Sequence, residues 1–123
     1  MDYIFISDLD DTLIGDDKSL QKFNDVMTSL RDKFFLVYSS GRFKGSLLSA
    51  VEENGLIQPD AIICNVGTEI YYHPSWEKDK EWGKMLKESW RKEEIVSVLE
   101  KFPVEPQPYD KKFTASYLSL IHI

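Results

Sequence analysis

The sequence predicts an α/β protein: a parallel layer that opens β-α-β-α-β, followed by the start of a second, smaller α/β unit that stops mid-structure. Three observations carry this. Residues 3–6, 34–38 and 61–64 are short, continuous apolar runs, as expected for strands buried on both faces of a parallel sheet. Between them lie two stretches whose apolar residues recur at helical spacing. Finally, residues 1–76 carry a net charge of −6 and residues 77–123 a net charge of zero, which marks an expected domain boundary near Trp76.

Tyr3-Ile4-Phe5-Ile6 ends abruptly at Ser7-Asp8, so Asp8 is expected at the carboxyl end of a central strand, where ligands bind in open α/β sheets. Leu20, Phe23, Val26, Met27 and Leu30 define the first helix, with Ser19 available as its N-cap. The second strand ends at Ser39-Ser40-Gly41-Arg42. Leu47, Leu48 and Val51 define the second helix, and Gly55 is placed to terminate it. The third run, Ala61-Ile62-Ile63-Cys64, leads into Asn65. Asp8, Ser40 and Asn65 therefore share one sheet edge. Beyond Trp76, residues 79–90 and 92–102 read as two helices, and Pro103, Pro106 and Pro108 impose a non-helical stretch. Phe113, Ala115 and Tyr117 alternate with polar residues as one strand face.

Composition excludes several classes. Hydrophobic residues are 42% and aromatics 13% of the 123 residues, a globular rather than a disordered composition. A formal charge of −6 is the wrong sign for a protein that binds nucleic acid through its phosphates. One cysteine, Cys64, cannot form an internal disulfide. No apolar run approaches the roughly 20 residues of a membrane span, and Met1-Asp2-Tyr3 lacks the basic start of a signal peptide. A cytoplasmic protein without nucleic-acid or membrane partners is the expectation.

The first 17 residues hold six aspartates and neither Lys nor Arg. The repulsion among Asp8, Asp10 and Asp11 is relieved by splaying into water, by proton uptake or by a bound cation. A carboxylate at a sheet's carboxyl edge can attack an electrophile, and a second one two residues on can protonate the leaving oxygen. A phosphoryl group suits this pair when a hard divalent cation shields the two anions from each other. Thr12 and Ser40 are small hydroxyls that can hydrogen-bond phosphate oxygens, and Gly41 leaves the neighbouring backbone amides open.

Asp8-Leu9-Asp10-Asp11-Thr12 matches the D-x-D-x-T motif of the haloacid dehalogenase superfamily of aspartyl-phosphate phosphatases. Ser40, followed by Gly41-Arg42, resembles that superfamily's second motif. Val66-Gly67-Thr68-Glu69-Ile70-Tyr71-Tyr72 is similar to the sucrose-phosphate phosphatase branch, in which a cap domain is inserted just after this stretch. The resemblance covers residues 3 to about 118 and implies a Rossmann-like core over residues 1–76 and an incomplete cap over 77–123. It further implies that Asp8 is the nucleophile and a Mg²⁺ ligand, and that Asp10 is the general acid/base with its backbone carbonyl on Mg²⁺. Ser40 and the Gly41 amide would hold the phosphoryl group, with Thr12 beside them. Arg42 is a substrate or phosphate contact or, equally, half of a structural ion pair. The implied substrate is a small sugar phosphate, and the complete enzyme is expected to be a monomer.

Two further motifs of the superfamily are absent from this sequence. No G-D follows Gly15-Asp16, so the acidic pair that completes the metal site is missing, and Lys111 and Lys112, in a Pro-flanked segment, do not stand in for the phosphate-neutralising lysine. Residues 119–123 do not continue the family's texture and read as non-native read-through. The chain is thus expected to be the N-terminal part of a longer enzyme, inactive by itself.

Other readings stay open. The same chemistry could serve another phosphorylated sugar or a nucleotide, with the choice made in the cap. A non-catalytic phosphoacceptor module, such as a receiver-like domain, would carry its Asp at the end of the third strand, where this sequence has Asn65. Cys64 reads as a buried small hydrophobe, His73 and His122 as structural or exposed, Trp82 and Trp90 as cap core with Met85 and Leu86, and Glu69 as an exposed charge near the hinge rather than a sugar contact.

Overall fold

In the computed structural model, which describes residues 2–107 and 112–119, the three apolar runs form parallel strands: β1 (Tyr3–Asp8), β2 (Phe34–Ser39) and β3 (Ala61–Cys64). Helix α1 (Asp17–Ser29) connects the first pair and α2 (Lys44–Glu53) the second. The strands lie in sequence order across the sheet, so two crossovers of one hand place both helices on one face. The core sits under them. Leu20 and Met27 of α1 and Leu47, Ala50 and Val51 of α2 cluster with Leu36, Tyr38, Ile62 and Cys64 of the strands. Tyr38 is fully buried, and its hydroxyl is satisfied by donating to the Ile57 carbonyl at 2.7 Å. Cys64 is likewise fully buried, and burial pushes its thiol pKa up to about 12, in keeping with a packing role.

The helix ends follow local chemistry. Asp16, not Ser19, caps α1: its carboxylate accepts from the Lys18 and Ser19 amides at 3.0 and 3.4 Å, and Ser19 Oγ donates to it at 3.0 Å. Both residues are good caps, and the one preceding the first helical turn takes the role. Gly55 closes α2 with φ +65°, a conformation that favours glycine.

The sheet continues antiparallel through β4 (Glu69–Tyr72) and β5 (Glu77–Lys78), so it runs past Trp76 to Lys78. Helices α3 (Lys80–Ser89) and α4 (Lys92–Leu99) follow. A separate ribbon pairs β6 (Val104–Pro106) with β7 (Tyr117–Ser119).

Two expectations are corrected. β1 is an edge strand among the described residues, not a central one. Ile4 is 69% and Ile6 58% exposed, whereas Leu36 on β2 is fully buried. An unbroken apolar run shows that a strand wants cover on both faces, but it does not fix the strand order. The strand expected over residues 113–117 begins only at Tyr117, and Phe113 is buried in the turn before it. Its partner, bounded by Pro103 and Gln107, offers only three residues to pair with.

Candidate active site

The carboxyl edge of the parallel strands gathers the residues that the motifs single out. Asp8 ends β1 and is exposed; it pairs in register with Ser39 of β2. The chain then turns tightly because Leu9 is fully buried and its carbonyl accepts from the amides of Thr12, Leu13 and Ile14 at 3.4, 3.0 and 3.0 Å. Asp11 takes φ +60° within that turn. The turn brings Thr12 back over the strand end, where its Oγ1 donates to Asp8 Oδ2 at 3.4 Å.

Ser40 follows β2 and is 7% exposed. Its amide donates to the Ile63 carbonyl at 2.9 Å, and its Oγ accepts from the Arg42 amide at 3.0 Å. Asn65, just past β3, donates its amide to the Arg42 carbonyl at 2.9 Å, and Val66 donates to the Ser40 carbonyl at 3.4 Å. The two strand ends are thereby tied to each other. Asn65, Val66 and Gly67 take φ of +49°, +59° and +83°, a left-handed run that is strained at the β-branched Val66. A side chain at Gly41 would meet Val66 Cγ2 at 3.7 Å, so the loop passes close over that glycine.

Asp10 does not splay into water. Arg42 grips it with two bonds, Nε to Oδ2 at 2.9 Å and Nη2 to Oδ1 at 2.7 Å. These hydrogen bonds, with the adjacent charge, hold the Asp10 carboxyl below the usual carboxylate range and raise Arg42 in return. Asp8, Ser40 and Asn65 therefore share one edge, as the sequence predicts, and Asp10, Thr12, Gly41 and Arg42 lie beside them.

The residues around Glu69 depart from the sequence reading. The Glu69 side chain is 19% exposed, not free in solvent. It accepts from Asn65 Nδ2 and, at 2.5 Å, from the Tyr71 hydroxyl, and it pairs with Lys78 at 3.3 Å. Burial works to raise its pKa, but these partners outweigh it and the net displacement is downward. The alternation of Glu69 with Tyr71 on one strand face was the available signal. Trp82 is not part of a buried second core: no residue of α3 is buried and Met85 is 59% exposed. The indole Nε1 instead donates to the Gly67 carbonyl at 2.9 Å, docking α3 on the strained loop. His73 lies edge-on to Trp76 at 5.4 Å. His122 and Lys111 lie outside the described residues, and Lys112 sits over the Phe113 ring at 5.3 Å.

Among the described residues, no three His, Cys, Asp or Glu side chains converge in a metal-binding group. The donors that this edge does offer are hard oxygens, the type that Mg²⁺ selects. No helix among the described residues is long and apolar enough to cross a membrane.

An exposed carboxylate at the end of the first strand, a second one two residues on and a buried serine just past the end of the next accompany a fold of the haloacid dehalogenase class. Within that class, the chain belongs to the sucrose-6F-phosphate phosphohydrolase family, whose model matches residues 1–120. It is similar to the sucrose-phosphatase of Synechocystis sp. PCC6803, solved in complex with sucrose and phosphate. That match has a TM-score of 0.79 and 31% identity, and covers 86% of this chain and 43% of that one. A probable sucrose-phosphatase 1 of Arabidopsis thaliana is 33% identical over 106 residues, 81% of this chain and 25% of its own length. A mannosylfructose-phosphate phosphatase of Agrobacterium fabrum is 33% identical over 95 residues, covering 76% of this chain and 38% of its own. The chain thus spans about a quarter of the plant relative's length.

Proposed function

We propose that the polypeptide carrying this chain hydrolyses a sugar phosphate, with sucrose-6F-phosphate the first candidate, through an aspartyl-phosphate on Asp8. The observation that carries this reading is the juxtaposition of Asp8 and Asp10 with Ser40 at one sheet edge. Asp8 is exposed and oriented by Thr12, so its carboxylate oxygen can attack phosphorus. As that O–P bond forms, the bond from phosphorus to the sugar oxygen breaks, and Asp10 delivers a proton to the departing oxygen. In the second half, Asp10 takes a proton from a water molecule whose oxygen attacks phosphorus. The Asp8–phosphorus bond breaks and inorganic phosphate leaves. Ser40 Oγ and the Gly41 amide hold the non-bridging oxygens during both transfers.

Mg²⁺ fits the hard oxygens present and, when bound, would supply positive charge between the anionic nucleophile and the anionic ester. The Asp8 carboxylate and the Asp10 main-chain carbonyl would hold it. The Asp10 carboxylate, engaged by Arg42, is left for proton transfer. Of residues 77–123, those beyond the Glu77–Lys78 strand of the core sheet would form part of the substrate-recognising cap, and the remaining phosphate and metal ligands would come from elsewhere in the longer protein.

A second reading, the same chemistry on a different phosphorylated disaccharide, is favoured by the similarity to the mannosylfructose-phosphate phosphatase. The test is phosphate release by the purified full-length protein from sucrose-6F-phosphate, mannosylfructose phosphate, hexose phosphates and nucleotides, with trapping of the covalent intermediate. A labelled Asp8 and a preference for sucrose-6F-phosphate are expected. Turnover without an Asp8 adduct would sink the mechanism, and a preference for nucleotides would sink the substrate class.

A further inference from the structure

We infer that Arg42 is a positioning residue for Asp10: its guanidinium fixes the plane of that carboxylate at the mouth of the site instead of binding the phosphoryl group. The inference deepens the proposed function and rests on Asp10 being its acid/base group. Every guanidinium nitrogen is engaged: Nε and Nη2 grip the two Asp10 oxygens at 2.9 and 2.7 Å, and Nη1 donates to Ser46 Oγ on α2 at 3.1 Å. The two N–H groups left over, one on each terminal nitrogen, belong to a guanidinium whose plane and position are already set by these three bonds. The main chain of Arg42 is held equally firmly, with its amide on Ser40 Oγ and its carbonyl receiving the Asn65 amide. The fork therefore projects from a fixed base and is braced against a helix.

The location of the pair argues for positioning over stability. Its side chains are 36% and 45% exposed, and an ion pair so open to water and salt contributes little to folding. What a two-pronged grip does supply is orientation. Asp10 sits in a turn after β1, on a half-exposed side chain that would otherwise rotate about two bonds, and a carboxyl group must face the leaving oxygen to protonate it. Lysine would keep the charge but not the fork.

The experiment compares R42K, R42Q and S46A with wild type in the full-length protein. It reads kcat/KM, which covers all steps up to leaving-group departure, on the sugar phosphate and on 4-nitrophenyl phosphate. An alkoxide needs a well-aimed acid to leave, whereas nitrophenolate needs little help. Both Arg42 variants are expected to lose about 10–100-fold on the sugar ester, and about tenfold less on the aryl ester. S46A should shift in the same direction by a smaller factor. Inhibition by inorganic phosphate should weaken by no more than about twofold.

Equal losses on both esters, or phosphate inhibition weakened tenfold or more, would overturn the inference in favour of a structural role or a phosphate contact. So would full sugar-ester activity in R42K. If wild type hydrolyses neither ester, the proposed function fails, and the pairing itself is judged by ¹⁵N side-chain NMR. The Arg42 Nε–H signal should be slow to exchange in wild type and fast in D10N; a signal indifferent to D10N would overturn the inference whatever the activity.

Discussion

Asp8→Asn keeps the shape of a side chain whose hydrogen bond to another side chain is a 3.4 Å contact from Thr12, but it replaces the proposed nucleophile with an amide. Phosphate release by the full-length variant is expected to fall to background while its melting temperature stays at the wild-type value. Asp60 is the opposite kind of residue, structural and remote in sequence from what it holds. It accepts from the Leu36 amide at 2.8 Å and pairs with Arg31 at 2.8 Å. Burial raises its pKa, but the Arg31 and Leu36 bonds outweigh that and leave it lowered. Folding therefore favours the ionised form. The stabilisation is complete above the unfolded value of about 4 and disappears as pH falls through the lower folded value. Asp60→Asn should cost about 1–3 kcal/mol at pH 7 by denaturant melts, and the gap from wild type should narrow as the solution is acidified below about pH 4. The placement of Asp8 and Ser40 was legible because each lies within a residue or two of the end of an apolar run. The Asp60 and Glu69 networks were not, because their meaning comes from partners brought in by the fold.

At the scale of elements, the helices and parallel strands could be read from periodicity, and their ends largely from caps. Confusion arose where two residues could do the same job, as with Asp16 and Ser19 at the start of α1. Asp16→Ala should lower the melting temperature by removing the acceptor for two backbone amides, whereas Asp16→Ser should retain most of the wild-type value. A drop in Asp16→Ser as large as in Asp16→Ala would show that the cap acts through charge and not through its hydrogen bonds. The β4–β5 hairpin was missed altogether. Glu69, Ile70, Tyr71 and Tyr72 follow three consecutive left-handed residues, a backbone path that sequence patterns do not announce, and β5 is only two residues long.

At the scale of the whole molecule, β1 has no strand on its outer side among the described residues. Phe5 packs near Phe23 of α1 at 6.0 Å and Phe34 at 6.2 Å, but Ile4 and Ile6 alternate to the other face and stay exposed. An apolar edge with open backbone groups invites another strand. The 123-residue chain is expected to self-associate, and Ile4→Lys combined with Ile6→Lys to reduce that association, as measured by sedimentation velocity across a concentration series. A wild-type chain that stays monomeric throughout would show that the edge is harmless. Sheet order is what sequence reading lacked here: the runs identify strands, but their neighbours are chosen by packing across the whole fold.

The pairing of Asp8 with Ser39 also makes the site a matter of parity. Side chains along a strand alternate between faces, so removing one residue from within β1 would turn over every position between the deletion and Asp8 relative to β2. Asp8 would then leave the face it shares with Ser39 even though each residue of the motif remained. Natural and engineered length changes should accordingly be confined to the connections, with single deletions inside residues 3–7 selected against as strongly as loss of Asp8 itself. In this edge, the count of residues matters as much as their identity.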